Sequence, residues 1–388
     1  MKRKMRVLKA TIVLILTLVM LSPLRSQNTL GQNENNMLRF GVPFLLIAPD
    51  ARGSAMGDAG VSSEPDVYSM YYNPAKYAFA PGETGIGISY TPWLKNTATD
   101  IYFASAHYFG HFGNGQTFAT SLRYLKIGNV PFTDDNGASL GTYNPNEFAI
   151  DVAYARKLSD NLSMAIAWRY IRSDLSQGQF LGGVQSKAGN SIAADIALYW
   201  KKKIYFSKLD GTFALGVNVS NIGAKISYGD NNDEFLPTNL RFGPSLTLEL
   251  DHYNRISFLI DVNKLLIPTP PEYDQEGNII RGKNPNVSVV PGIFQSFWDA
   301  PGGFGEELSE FTLGFGTEYW YHDQFTIRVG YFHESARKGN RKFFTTGVGV
   351  RFNDFGMDLS YLLPFEKDHP LANTLRFSLL WNMGTWSN

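Results

Sequence analysis

Cysteine is absent from the 388-residue chain. That excludes disulfides, thiolate nucleophiles and cysteine-based metal sites, and with them a lipoprotein anchor. Charge of either sign is scarce: charged residues make up 18%, where soluble domains carry about 25%. The 35 basic and 35 acidic residues cancel, so no overall basic field exists to attract nucleic acid. Beyond the N-terminus no apolar run approaches the roughly 20 residues that a membrane-spanning helix needs. In contrast, aromatic residues reach 14% and glycine has 37 copies.

The N-terminus reads as an export signal. Lys2, Arg3, Lys4, Arg6 and Lys9 precede the short apolar run Ala10–Leu21, and "SPLRSQ" follows. A cut after Ser26 is expected, although Leu24 stands where a small residue is usual. The expected organisation is therefore a signal peptide over residues 1–26, an N-terminal extension and plug segment over 27–82, and a β-barrel over 83–388.

From about Glu83 the hydrophobic period is two. In "NLSMAIAWRYIRSDL", Leu162, Met164, Ile166, Trp168 and Tyr170 share one face, opposite Ser163, Ala165, Ala167 and Arg169. About fourteen such segments follow one another, each about ten to thirteen residues long, beginning near Glu83, Thr99, Gly115, Glu147, Asn161, Asn190, Thr212, Asn239, Asn254, Ser309, Gln324, Lys342, Phe355 and Ala372. Soluble strands average five or six residues, whereas strands that cross a membrane need about nine to eleven. Connections alternate between short turns ("HFGN", "SDN", "DHY", "YHD", "ND") and long loops: Gly128 to Asn146, Leu175 to Gly189, Ala224 to Thr238, Leu265 to Leu308 and Ser335 to Arg341. A secreted β-sandwich or propeller would share the period but needs neither the length nor the alternation. The pattern predicts a 14-stranded antiparallel outer-membrane β-barrel. Lipid offers no hydrogen bonds, so a sheet that crosses it must close on itself. Asp151, Arg169, Asp195, Asp261, Arg328, Arg351 and Asp358 are then expected to face the lumen, and Trp93, Tyr170, Trp200, Trp320, Tyr321 and Trp381 to form interfacial girdles.

The stretch "PDARGSAMGDAG" poses a separate question. A phosphate-binding loop would need a strand before it and a helix after it, with GxGxxG or GK[ST] spacing, and none of these is present. The small residues Ala51, Gly53, Ala55, Gly57, Ala59 and Gly60 suit close packing instead. "ARGSAMGDAG" followed by "YYNPA" resembles the N-terminal segment of the FadL-like outer-membrane barrel family, in which a plug sits in the lumen of a fourteen-stranded barrel. The resemblance places the plug motif at Ala51, Arg52, Gly53, Gly57, Asn73, Pro74 and Ala75. "PFLLIAPDARGSAMGDAG", "DVYSMYYNPAKYAF" and "SYTPWLKNTATDIYFASAHYFG" resemble the PorV-like members, the barrel component of the type IX secretion system. That likeness runs from about Met37 to the C-terminus.

The resemblance implies a non-enzymatic component that binds the C-terminal signal domain of secreted cargo proteins. It would take cargo from a large translocon barrel and deliver it to a surface attachment complex with a sortase-like subunit. The partners implied are those proteins and outer-membrane lipid, with no nucleic acid and no cofactor. The alternative is a FadL-like transporter of hydrophobic small molecules. Within the longest loop, "GIFQSFW" places Ile293, Phe294, Phe297 and Trp298 as candidate partner contacts, because exposed aromatics on a loop suit an interface. The six histidines show no metal-ligand spacing. "HES", His333 to Ser335, lies where a lipid hydrolase could place a catalytic set, but His333 and Glu334 should diverge on alternate faces.

Overall fold

The computed structural model describes residues 36–384, except 95–99, 134–138, 176–179, 182–183, 186, 207–208, 230–232 and 366–370. The expected signal segment lies outside the described residues. The fourteen barrel strands are β1 (Thr84–Pro92), β2 (Tyr102–His111), β3 (Gln116–Lys126), β4 (Asn146–Lys157), β5 (Leu162–Asp174), β6 (Gly189–Phe206) and β7 (Leu209–Gly223), then β8 (Asn239–Glu249), β9 (Asn254–Leu265), β10 (Phe311–Tyr321), β11 (Phe325–His333), β12 (Lys342–Phe352), β13 (Phe355–Pro364) and β14 (Leu375–Met383). Each starts within three residues of its expected position.

Every neighbour pairs antiparallel, and β1 closes against β14 from Thr84↔Met383 to Tyr90↔Phe377. Closure leaves no free edge along the paired lengths, so backbone donors and acceptors are satisfied within the sheet. The turn at 353–354 and the turn holding His322 and Asp323 use left-handed residues (Asn353 φ 51°, His322 φ 56°, Asp323 φ 52°), which match the twist of tight hairpins. Short turns gather at one end of the barrel and long loops at the other.

Alternation sorts the side chains by face. Ile86, Ile88, Ile196, Leu198, Val217, Phe258, Ile327, Val348 and Leu379 are exposed around the wall. A soluble protein does not carry an apolar band of this extent, and hydrocarbon is the medium that makes it favourable. The opposite face holds Asp151, Arg169, Asp195, Asp261, Arg328 and Asp358, all buried.

Two expected girdle residues are misplaced. Trp320 is 6% exposed and points inward, with the guanidinium carbons of Arg255, Arg328 and Arg351 5.4, 5.5 and 5.3 Å from its ring. It shares the parity of Gly314, Gly316 and Glu318 on β10, and parity decides the face. Trp93 lies beyond β1, half-buried at the long-loop mouth with Arg376 5.5 Å from its ring. Tyr170, Tyr321 and Trp381 are exposed on the outer wall as expected.

Candidate functional site

Residues 41–80 fold into short helical pieces with almost no exposed surface. Helix α1 (Ala51–Ser54) is capped by Asp50, which accepts from the Gly53 N–H at 2.8 Å. Helix α2 (Ser69–Tyr72) leads to a 3₁₀ turn, Pro74–Phe79. Asn73 starts that turn: its Oδ1 accepts from the Ala75 N–H at 3.0 Å, and Pro74 occupies the first position, where no N–H is needed. The Asn73 amide donates to the carbonyls of Val61 (3.0 Å) and Leu198 (2.9 Å), tying the turn both to the segment and to β6.

This segment bonds to inward-facing groups around the whole ring. Ala51 N–H donates to Ser378 on β14, Gly57 N–H to Thr345 on β12, and Gly60 and Val61 N–H to Asp261 on β9 at 2.8 and 2.9 Å. Ser245 on β8 donates to the Ser62 carbonyl, Asn218 on β7 to Tyr72, and Ser163 on β5 to Ala75. A segment reaching so many staves of a closed barrel lies in its lumen. All seven motif residues, Ala51, Arg52, Gly53, Gly57, Asn73, Pro74 and Ala75, are in it and buried.

The wall supplies its own glycines where the plug rests. A Cβ on Gly314 would stand 2.6 Å from the Gly57 carbonyl oxygen, one on Gly316 2.6 Å from Met56 Cβ, and one on Gly347 2.5 Å from Ala55 Cβ. Gly57 itself has φ 69° and lies against the Tyr331 and Phe315 carbonyls. The wall glycines therefore receive Ala55, Met56 and Gly57, while Gly53 and Gly60 give room to Tyr72 inside the plug.

Buried charge completes the seat. Arg52 forks onto Glu318 at 2.9 and 2.8 Å and reaches Asp66 at 2.9 Å. Glu318 also accepts from Arg328 (2.6 Å), which donates to Asp358 (2.7 Å), which pairs with Arg351 (2.8 Å). A second ladder links Arg123, Asp151, Arg169 and Asp195 across β3 to β6. Asp151 and Arg169 thus belong to a lumen-filling network, as the residue types suggested. Each charge needs its neighbour, since an unpaired buried charge is costly. In the plug, burial, reinforced by Asp66, pushes the Asp50 carboxyl up to about 7. Burial likewise pulls the Lys76 ammonium down to about 8, where it donates to the Gly60 carbonyl and Ser63 hydroxyl at 2.8 and 2.9 Å.

Above the plug, at the long-loop end, lies a cavity of about 300 Å³. Its apolar wall includes Leu46, Ile47, Phe332 and Phe343, and Arg241, Arg341 and Arg376 line it with Asp58. Burial holds the Asp58 carboxyl above its usual range despite those three guanidiniums. The longest loop closes over this end through an ion cluster. Lys338 lies 2.6 Å from Glu306 and 3.0 Å from Glu310, and Lys264 lies 3.1 Å from Glu307 and also pairs with Glu310. Thr269 donates to Glu310 at 2.6 Å. These residues are buried, and Glu306 and Glu307 tie helix α4 (Phe304–Ser309) to that base, while helix α3 (Val289–Gln295) joins it through Gln295, which donates to Asp299 at 3.3 Å, itself the acceptor of the Thr269 N–H.

The candidate contacts stand on that base. Phe294, Phe297 and Trp298 are exposed, and Ile293 is half-buried. Helices α3 and α4 add three exposed apolar residues that sequence reading passed over, Val290, Phe304 (77% exposed) and Leu308. Their signal was available, since "FGEEL" places Phe304 and Leu308 one helical turn apart. His333, Glu334 and Ser335 are not drawn together: Glu334 pairs with Arg341 at 2.8 Å, and His333 meets the Tyr331 hydroxyl at 3.3 Å.

Residues 30–272 match the family model described as "Type IX secretion system protein PorV". No curated protein sequence matches the chain. Among solved structures, the Pseudomonas putida toluene transporter TodX is 12% identical, with a TM-score of 0.47 over 84% of this chain and 95% of its own. The Ralstonia pickettii toluene transporter TbuX gives 11% and 0.43 over 86% and 97%. A Pseudomonas aeruginosa FadL homologue gives 13% and 0.41 over 90% and 100%. The family match, which spans more than half of the chain, carries the assignment.

Proposed function

The chain belongs to the PorV family of type IX secretion system proteins, and from that premise we propose that it is a non-enzymatic carrier that binds the C-terminal signal domain of secreted proteins. As an outer-membrane β-barrel of that system, it would accept cargo at a translocon barrel and deliver it to a sortase-like attachment subunit. On this reading the long-loop end faces the cell exterior and the short turns face the periplasm.

The observation that carries the proposal is the set of exposed aromatic residues Phe294, Phe297, Trp298 and Phe304, on a loop that buried ion pairs tie to the barrel mouth. A pre-ordered apolar face loses little conformational freedom on binding a folded domain. The lumen beneath is filled by the plug and its ladders, which suits a binding platform better than a conduit.

Co-purification of a cargo signal domain with the detergent-solubilised barrel tests the proposal. Capture by the native protein and its loss in Phe294→Ala/Trp298→Ala support it; equal capture by both refutes this surface, and no capture by either refutes the role. Deleting the gene should leave cargo in the periplasm with its signal domain uncut.

A second reading is supported by the cavity of about 300 Å³, whose apolar wall and three arginines suit a hydrophobic acid. It predicts intact secretion in the deletion strain, a growth defect on a lipid nutrient, and fatty-acid binding lost in Arg376→Leu.

A further inference from the structure

A different feature sits at the short-turn rim. Strands β6 and β7, at 18 and 15 residues, are the longest of the barrel. β6 pairs with β5 only as far as Trp200↔Leu162, while its pairing with β7 continues to Phe206↔Leu209. The β6–β7 hairpin therefore stands beyond the rim, and from Lys202 to Phe206 its β5-side edge has no strand partner among the described residues.

On the β5 side of that edge, a groove of about 380 Å³ runs on the outer wall between β4 and β5, lined by Tyr154, Leu158, Met164 and Ile166 with Arg156 and Lys157 at its end. Arg156, Lys157, Lys201, Lys202 and Lys203 crowd this sector. Among the described residues none of the five is in an ion pair, although Asp160 lies in the adjoining turn. Lys157 and Lys201 place their ammonium groups 5.0 and 4.4 Å from one ring, Phe79 of the plug. Arg156 and Lys202 have outward parity, Lys202 two residues beyond Trp200 on the same face, and a tryptophan near the rim marks the depth of lipid headgroups.

We propose that this sector holds one anionic phospholipid, with an acyl chain in the Tyr154–Met164–Ile166 groove and its phosphate on Arg156 and Lys202. The apolar trough and the unpaired cations meet at the level where a phospholipid changes from tail to headgroup. An acidic protein segment would match the cations but not the trough. The inference rests on the barrel spanning a membrane and is independent of the cargo role, so its failure would leave that role standing.

Native mass spectrometry of the detergent-released protein, offered phosphatidylglycerol and phosphatidylethanolamine in equal amounts, tests it. The native chain should retain one phosphatidylglycerol in preference. Arg156→Gln/Lys202→Gln should weaken that retention about 30-fold, taking about 1 kcal/mol per cation. Met164→Trp, which fills the trough and leaves every charge in place, should weaken it too. Lys126→Gln/Arg172→Gln, at the opposite rim, should change nothing. Heat-modifiable electrophoretic mobility identifies variants that fold. Equal retention of the two lipids, or unchanged retention in the folded Arg156→Gln/Lys202→Gln variant, overturns the proposal. So does loss confined to the charge variant with Met164→Trp unaffected, which would point to an acidic protein segment.

Discussion

Gly330→Ala should unseat the plug, although the same substitution at an unobstructed strand position would be favourable. A Cβ at Gly330 would lie 2.6 Å from Met56 Cα and closer still to the Gly57 nitrogen. Both are backbone atoms, so no side chain can swing aside. Gly57 cannot retreat either, because the Tyr331 and Phe315 carbonyls press on it and its φ is 69°. Overpacking of this kind costs about 1–3 kcal/mol, more than the roughly 0.5–1 kcal/mol that alanine gains over glycine in a strand. The open population of the plug should therefore rise about 5- to 150-fold. The absence of cysteine supplies the assay. Ser62 is 1% exposed and its hydroxyl has no partner among the described residues, so Ser62→Cys is a gentle reporter. Its labelling rate with a small maleimide should rise by that factor in Gly330→Ala and stay level in Gly305→Ala, where no atom lies within 4 Å of the added methyl group. An unchanged rate in Gly330→Ala would refute the reasoning that the wall glycines form the seat of Met56 and Gly57.

Three further expectations use the same reporter or the loop face. Arg52→Gln removes the fork onto Glu318 and should cost about 3 kcal/mol, the low end for a broken buried pair because Arg328 still holds Glu318; labelling should rise about 100-fold, and Arg52→Gln/Glu318→Gln should recover part of it. The Asp50 carboxyl keeps its proton to about pH 7 in the seated plug but loses it near 3.9 once released, so its contribution is fully present below about pH 4 and disappears as pH rises through 7. Labelling, divided by that of free cysteine at each pH, should then be about tenfold or more faster at pH 8 than at pH 5, and Asp50→Asn, which keeps the acceptor for Gly53, should flatten the slope. Trp298→Ala and Phe294→Ala should each weaken signal-domain affinity about tenfold in a titration, with barrel mobility on gels unchanged.

The barrel was legible because period two is a local property: each residue's face follows from its neighbours two positions away, as Met164, Ile166 and Trp168 illustrate. Trp320 was misread because an aromatic near a strand end was ranked above parity with Glu318. The wall glycines had a readable signature, since Gly314, Gly316, Gly330 and Gly347 recur at inward positions where only a close approach justifies them. The seat's ion pairs were not legible. Arg52 and Glu318 are 266 residues apart, and nothing local links them. The loop cluster of Lys264 and Lys338 with three glutamates was hidden for the same reason, while the aromatic run it supports was visible in "GIFQSFW".

The closing register Thr84↔Met383 couples the wall to what it encloses. The plug is synthesised before any stave, yet it grips residues on β9, β12 and β14, the last of which joins β1 to shut the cylinder. The strand that shuts the cylinder therefore also holds the plug through Ser378, so closure of the wall and seating of the plug draw on the same stave. A chain without the N-terminal segment would close over a hoop of inward charges in which Glu318 lacks its Arg52 fork.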